Sequence, residues 1–159
     1  MVDTLAHGIW SWIIFRNYIP SSKIIWLAIF FGVAPDLFSW TVYFFYNLFK
    51  NGFHFGKPVI DAVPDWVFTL YGITHSIFVF VAVIVLCLIF FKHIPIYLWA
   101  WLIHILIDIP THSRDFLPTP FLWPISMWHF PGISWATWPI IVLNWGGILF
   151  FLCKIFLKK

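Results

Sequence analysis

The chain has 159 residues, 62% of them hydrophobic and only 9% charged, with a mean hydropathy of +0.94. Soluble domains carry about 25% charged residues, so this composition excludes an ordinary water-soluble domain and points to an integral membrane protein. The net charge of +3 is spread thinly, without a basic run, which excludes nucleic acid as a partner.

Apolar runs broken by Pro, Asn, Lys and Asp predict an all-α, multi-pass transmembrane helical bundle of about five helices, forming one domain over residues 1–159. The first run, Asp3 to Tyr18, lacks the basic start and small-residue cleavage site of a signal peptide, so it is expected to be retained; it is short enough to be tilted or interfacial. The second, Lys23 to Phe49, contains Gly32 and Pro35, which predicts a kink or break just before Asp36. The remaining runs are Asp65 to Phe91, Ile94 to Ile109 and Trp135 to Phe156. Two longer loops are left, Lys50 to Pro64 and Pro110 to Ser134. The second loop is rich in Pro and Trp, and Arg114 and Asp115 are its only charges. It is expected to lie ordered at the membrane interface as a cap over a site, with Arg114 turned toward that site. Cys87 and Cys153 stand singly in apolar runs and read as small hydrophobes.

Ionisable side chains are costly in a bilayer, and each calls for a partner. His7, Asp36, His75, His104 and Asp108 are such residues. In alternating helices, all of them fall toward one membrane face at comparable depth. His104 and Asp108 are one helical turn apart, and Tyr97, Trp101 and Thr111 extend their stripe, which therefore faces the bundle. Taken alone, that pair serves equally as a helix clasp or as part of a metal site. Asp36 after Pro35 is either the cap of a restarted helix or a ligand. His7 lies one turn after Asp3, which either orients the imidazole or caps the helix. His75 sits among Gly72, Thr74 and Ser76, small neighbours that allow close packing. Together the five make a nitrogen and carboxylate set suited to a divalent metal: zinc first, with iron and manganese as alternatives. His54, His93 and His129 read as interfacial, and His112 as intermediate.

The order of these motifs carries a resemblance. An early His7, Pro35-Asp36, Gly72-Ile73-Thr74-His75-Ser76, and His104-x-x-x-Asp108-x-x-Thr111-His112 resemble the bacterial inner-membrane metal-dependent hydrolase family, the LexA-binding, inner-membrane-associated hydrolases. The likeness runs from His7 to about Pro124, where Phe121-Leu122-Trp123-Pro124 is similar to the family's segment after its last motif. It implies a small multi-pass helical protein with metal-dependent, phospholipase-like hydrolase activity. Two positions depart from the pattern. Phe38 stands where many members carry a second Asp, and Leu70-Tyr71 where many carry His-Arg. The departures remove the family's support for a second metal ion and for a cationic phosphate contact; Arg114 is the candidate replacement for that contact.

The expected function is hydrolysis of a lipid-borne ester or phosphoester, with membrane lipid as both environment and substrate. Asp36, Asp108 and Arg114 are the candidate catalytic residues: either Asp serves as general base, and Arg114 grips phosphate. One rival is a metal-ion or proton transporter, which needs polar residues continuing past Ser11, Thr41, Asn47 and Asn144 to the other face. Another is a non-catalytic structural or partner-binding protein. Arg16, Lys23, Lys92, Lys154, Lys158 and Lys159 flank the side away from the site, and Lys50, Lys57 and Arg114 the site side. The positive-inside rule then sets the site toward the outer face of the inner membrane.

Overall fold

The computed structural model describes residues 2–53 and 58–157. His54 and Lys57, and the terminal Lys158 and Lys159, lie outside the described residues. Among the described residues the architecture is all-helical, without strands: α1 (Val2–Arg16), α2 (Ser22–Asp36), α3 (Val42–Asn51), α4 (Asp65–Thr74), α5 (Ile77–Phe91), α6 (Trp99–Thr111) and α7 (Trp138–Leu157). A π-helical turn, Leu37–Thr41, joins α2 to α3, and a 3-10 turn, Ile96–Leu98, leads into α6. α1 and α6 both pack on α2, and α7 packs on α1.

Among the described residues two helices are long and apolar enough to cross a membrane, Ser22–Asn51 and Trp138–Leu157; the pair α4 and α5, bent by 53°, makes a third if counted as one span. This fits membrane association and corrects the expected five crossing helices. α1 has 15 residues, which at 1.5 Å per residue reach about 22 Å, short of a hydrocarbon core of about 30 Å. The outer surfaces of α5 and α7 expose large apolar side chains, among them Leu86, Phe90, Leu143 and Phe150, as lipid-facing helices do.

The expected break before Asp36 is absent. The helix runs on through Pro35 and widens into the π turn immediately after Asp36. Proline withholds one backbone donor, and a wider turn accommodates the misfit without ending the helix. The break falls instead at His75, within the expected single helix from Asp65 to Phe91. Here the freed backbone groups find partners from elsewhere in the fold. The Trp101 indole donates to Thr74 O at 2.6 Å, and Ile77 N–H donates to Phe121 O at 3.0 Å. Ser76 caps α5 by accepting from Phe78 N and Val79 N, while its hydroxyl donates to Trp123 O. Non-helical backbone at membrane depth is tolerated where protein buries it in this way.

The segment after α6 is tied down on that break. Trp135 N–H donates to Thr111 O and Ile133 N–H to Pro110 O, so the chain folds back across the end of α6. Gly132 permits this return: a Cβ there would lie 2.5 Å from the carbonyl of His112. Trp123 lies flat against Gly72, where a Cβ would stand 2.9 Å from the indole ring. The expected cap over the site face is therefore present and ordered by backbone hydrogen bonds.

Candidate metal centre

Four elements meet at one buried point. Asp36 comes from the end of α2, His75 from the break between α4 and α5, and His104 and Asp108 from one face of α6. His75, His104 and Asp108 are at most 1% exposed, and the Asp36 side chain is 15% exposed.

Hydrogen bonds fix the tautomer of each ligand imidazole. His104 Nδ1 lies 2.7 Å from Gly32 O, and a carbonyl only accepts, so Nδ1 carries the proton and Nε2 presents a lone pair. His75 Nδ1 lies 3.2 Å from Tyr71 O and 2.9 Å from Thr74 Oγ1. The Thr74 hydroxyl donates to Leu70 O, so its oxygen accepts from His75. His75 Nε2 is left as a lone pair as well. The two Nε2 atoms face each other at 3.1 Å.

Both carboxylates point at the same place. Asp108 Oδ2 lies 3.2 Å from His104 Nε2 and 3.3 Å from His75 Nε2. Asp36 Oδ1 lies 3.6 Å from His75 Nε2 and 3.9 Å from His104 Nε2. Its other oxygen is held by the Thr4 hydroxyl, which donates to Oδ2 at 2.7 Å. Donors bound to one tetrahedral ion at about 2.0–2.1 Å stand about 3.4 Å apart. The observed 3.1–3.9 Å separations bracket that value, and this cluster of Asp36, His75, His104 and Asp108 could hold a metal ion. Among the described residues neither buried Asp108 oxygen has a hydrogen-bond partner of good geometry, and both face imidazole nitrogens at 3.0–3.3 Å. A buried carboxylate so placed needs positive charge beside it, from an imidazole proton or a bound cation.

His7, the fifth expected ligand, stands beside this shell. Its ring lies against that of His104, with centroids 3.9 Å apart, and its Nε2 reaches the other oxygen of Asp108, Oδ1, at 3.0 Å. The contact is an ion pair without hydrogen-bond geometry, and among the described residues neither ring nitrogen has a hydrogen-bond partner. Asp3 and His112 join His7 on that side, and Asp3, Asp108 and His112 form a second group of possible metal donors. Sequence reasoning treated these two only as a cap or orienting group and as an intermediate case. The available signal was spacing, since Asp3–His7 and Asp108–His112 repeat the one-turn interval of His104–Asp108.

Arg114 lies outside the cluster. Its Nε and Nη2 donate to His129 O at 3.2 and 2.8 Å, which pins the cap, and it is exposed. Burial, and secondarily the Arg114 cation, hold the His129 imidazole below its ordinary pKa. Arg114 instead lines a cavity of about 410 Å³ with Tyr71, Leu117 and Trp123, and the Tyr71 ring lies 4.1 Å from that of His75. A larger cleft of about 570 Å³ runs between α1, α6 and α7. Its walls include Trp10, Ile107, Ile141 and Trp145, and it reaches Asp3 and His7. His93 is exposed, its Nδ1 bonded to Phe91 O, in keeping with an interfacial position. No family model, curated protein or solved structure matches the chain.

Proposed function

We propose that this chain is a membrane-embedded, metal-dependent hydrolase acting on the ester or phosphoester of a lipid. The observation that carries the reading is the pair of Nε2 lone pairs from His75 and His104, facing each other between two carboxylates in a buried site. Such a set repels itself unless a cation or a proton sits among its donors, and a divalent cation satisfies all four at once. Nitrogen and carboxylate ligands at near-tetrahedral separations favour zinc.

A divalent ion held there supplies Lewis acidity and makes a bound water acidic near neutral pH. The protein's own groups do the rest. Asp108 is fully buried and serves the ion. In the catalytic arrangement His75, His104 and Asp108 hold the ion and leave one position open, and Asp36, the more exposed carboxylate with Oδ1 free of the Thr4 bond, takes the proton from the attacking water. Gly32 O, Tyr71 O and the Thr74 hydroxyl hold the imidazoles in the ligating tautomer. The cap carrying Trp123 limits entry of bulk water. The apolar cleft beside α1 suits an acyl chain, and the cavity beside Tyr71 suits the headgroup. The N–H groups of Arg114 not used on His129 are available there to a phosphate.

The motif order shared with the inner-membrane hydrolases supports the same reading, with the chain in the inner membrane and the site toward its outer face. Two of the few polar residues below the site are engaged within the bundle: the Ser11 hydroxyl donates to His7 O, and Asn144 accepts from the Trp10 indole. The test uses purified, zinc-loaded protein in mixed micelles with phospholipids and neutral glycerides, with products read by mass spectrometry. Release of fatty acid or phosphorylated headgroup that stops with His75→Ala and with chelator is expected. Loss of metal without loss of activity would sink the proposal.

A further inference from the structure

We infer that the site holds two divalent cations, with Asp108 as the bridging carboxylate. The inference rests on the metal-site reading above and extends it to a second ion, held by Asp3, Asp108 and His112, with His7 beside them. Asp108 divides its oxygens between two donor groups. Oδ2 faces His75 and His104, whereas Oδ1 lies 3.0 Å from His7 Nε2 and 3.7 Å from His112 Nδ1. Asp3 closes the second group, with Oδ1 3.8 Å from His7 Nε2 and Oδ2 3.9 Å from His112 Nε2. One donor atom from each of Asp3, Asp108 and His112 lies within 4.8 Å of the others, as in the first group.

Two independent observations point to an ion here. His7 is 2% exposed, yet neither of its ring nitrogens has a hydrogen-bond partner, and Asp108 Oδ1 is equally without one. In addition, His112 Nδ1 lies 3.3 Å from the Asp108 carbonyl, which can only accept. Nδ1 therefore carries the proton, and the Nε2 lone pair is turned to Asp3. His112 repeats the arrangement of His75 and His104, an imidazole locked to a carbonyl with its other nitrogen facing a carboxylate. The residues differ from the position where the resembling family carries its second Asp, occupied here by Phe38. The second ion is thus assigned to α1 and the end of α6. A carboxylate shared by two ions is the arrangement of two-metal hydrolytic sites, which clamp the attacking and leaving oxygens.

The test is metal stoichiometry on the purified full chain in detergent, stripped of metal and titrated with Mn²⁺, together with electron paramagnetic resonance of the loaded protein. The expected result is two ions per chain with the spectrum of an exchange-coupled pair. Asp3→Asn and His112→Gln should each reduce this to one ion with an uncoupled spectrum. One ion in the parent overturns the second centre while leaving the hydrolase reading in place; none overturns both. Two ions in the parent and in both variants places the second ion elsewhere and overturns the assignment. Helicity by circular dichroism shows that the variants fold, and the parent's stoichiometry and spectrum decide the question without them.

Discussion

His75 and His104 come from different helices, 29 positions apart in sequence, and bring their Nε2 atoms to 3.1 Å with both Nδ1 protons committed elsewhere. Neither nitrogen has a hydrogen to offer the other in that tautomer. The contact needs a proton or a cation beside it, and on the proposed reading a divalent ion meets this need together with that of Asp36 and Asp108. Removing the cation should therefore loosen four elements at once. An ion present at a hundred times its Kd stabilises the folded state by about 2.7 kcal/mol. Chelation should lower the midpoint of thermal unfolding in detergent, followed by Trp fluorescence, by several degrees, and added zinc should restore it.

Asp108→Asn keeps the side-chain volume and removes the charge that both donor groups share. The fold should persist, because Asp108 side-chain oxygens make no hydrogen bonds among the described residues. Metal content by mass spectrometry should fall to near zero. Unchanged stoichiometry would reassign Asp108 to helix packing.

Thr4 touches no candidate ion, yet its hydroxyl holds Asp36 Oδ2 and turns Oδ1 into the site. Thr4→Val preserves shape and deletes that bond. Losing an outer partner of a metal site costs about 10–100-fold in metal affinity or activity. Lipid hydrolysis by the zinc-loaded variant should fall in that range, with helicity unchanged.

Gly72→Ala would place a methyl 2.9 Å from the Trp123 ring and push the cap off the break at His75. Overpacking of this kind costs about 1–3 kcal/mol. The variant should unfold at lower temperature and expose Trp123 to a water-soluble quencher. A melting point equal to the parent's would show that the cap does not press on α4.

The buried cluster was readable because the bilayer makes each buried ionisable group conspicuous: His7, Asp36, His75, His104 and Asp108 stand out against apolar neighbours, and opposite helix directions set them at one depth. Asp3 and His112 were harder to read. They lie at helix ends, where a capping residue or an interfacial imidazole has the same appearance in sequence. The break at His75 was not legible, because Gly72, Thr74, His75 and Ser76 stand inside a run whose length and hydropathy also suit one continuous helix. What permits the break is distant in sequence: the Trp101 indole on Thr74 O, and the Phe121 and Trp123 carbonyls on Ile77 N–H and Ser76 Oγ. Pro35 misled in the opposite direction, since the helix absorbs it in a π turn. Arg114 was expected to face the site, but the His129 carbonyl holds its guanidinium at the cap.

X-ray absorption at the zinc edge of the loaded protein tests the central claim most directly. The account predicts nitrogen and oxygen scatterers at about 2.0–2.1 Å with the outer-shell pattern of imidazole, weakened in His75→Ala and in His104→Ala. A sulfur shell at about 2.3 Å, or a spectrum unchanged by both substitutions, would contradict it.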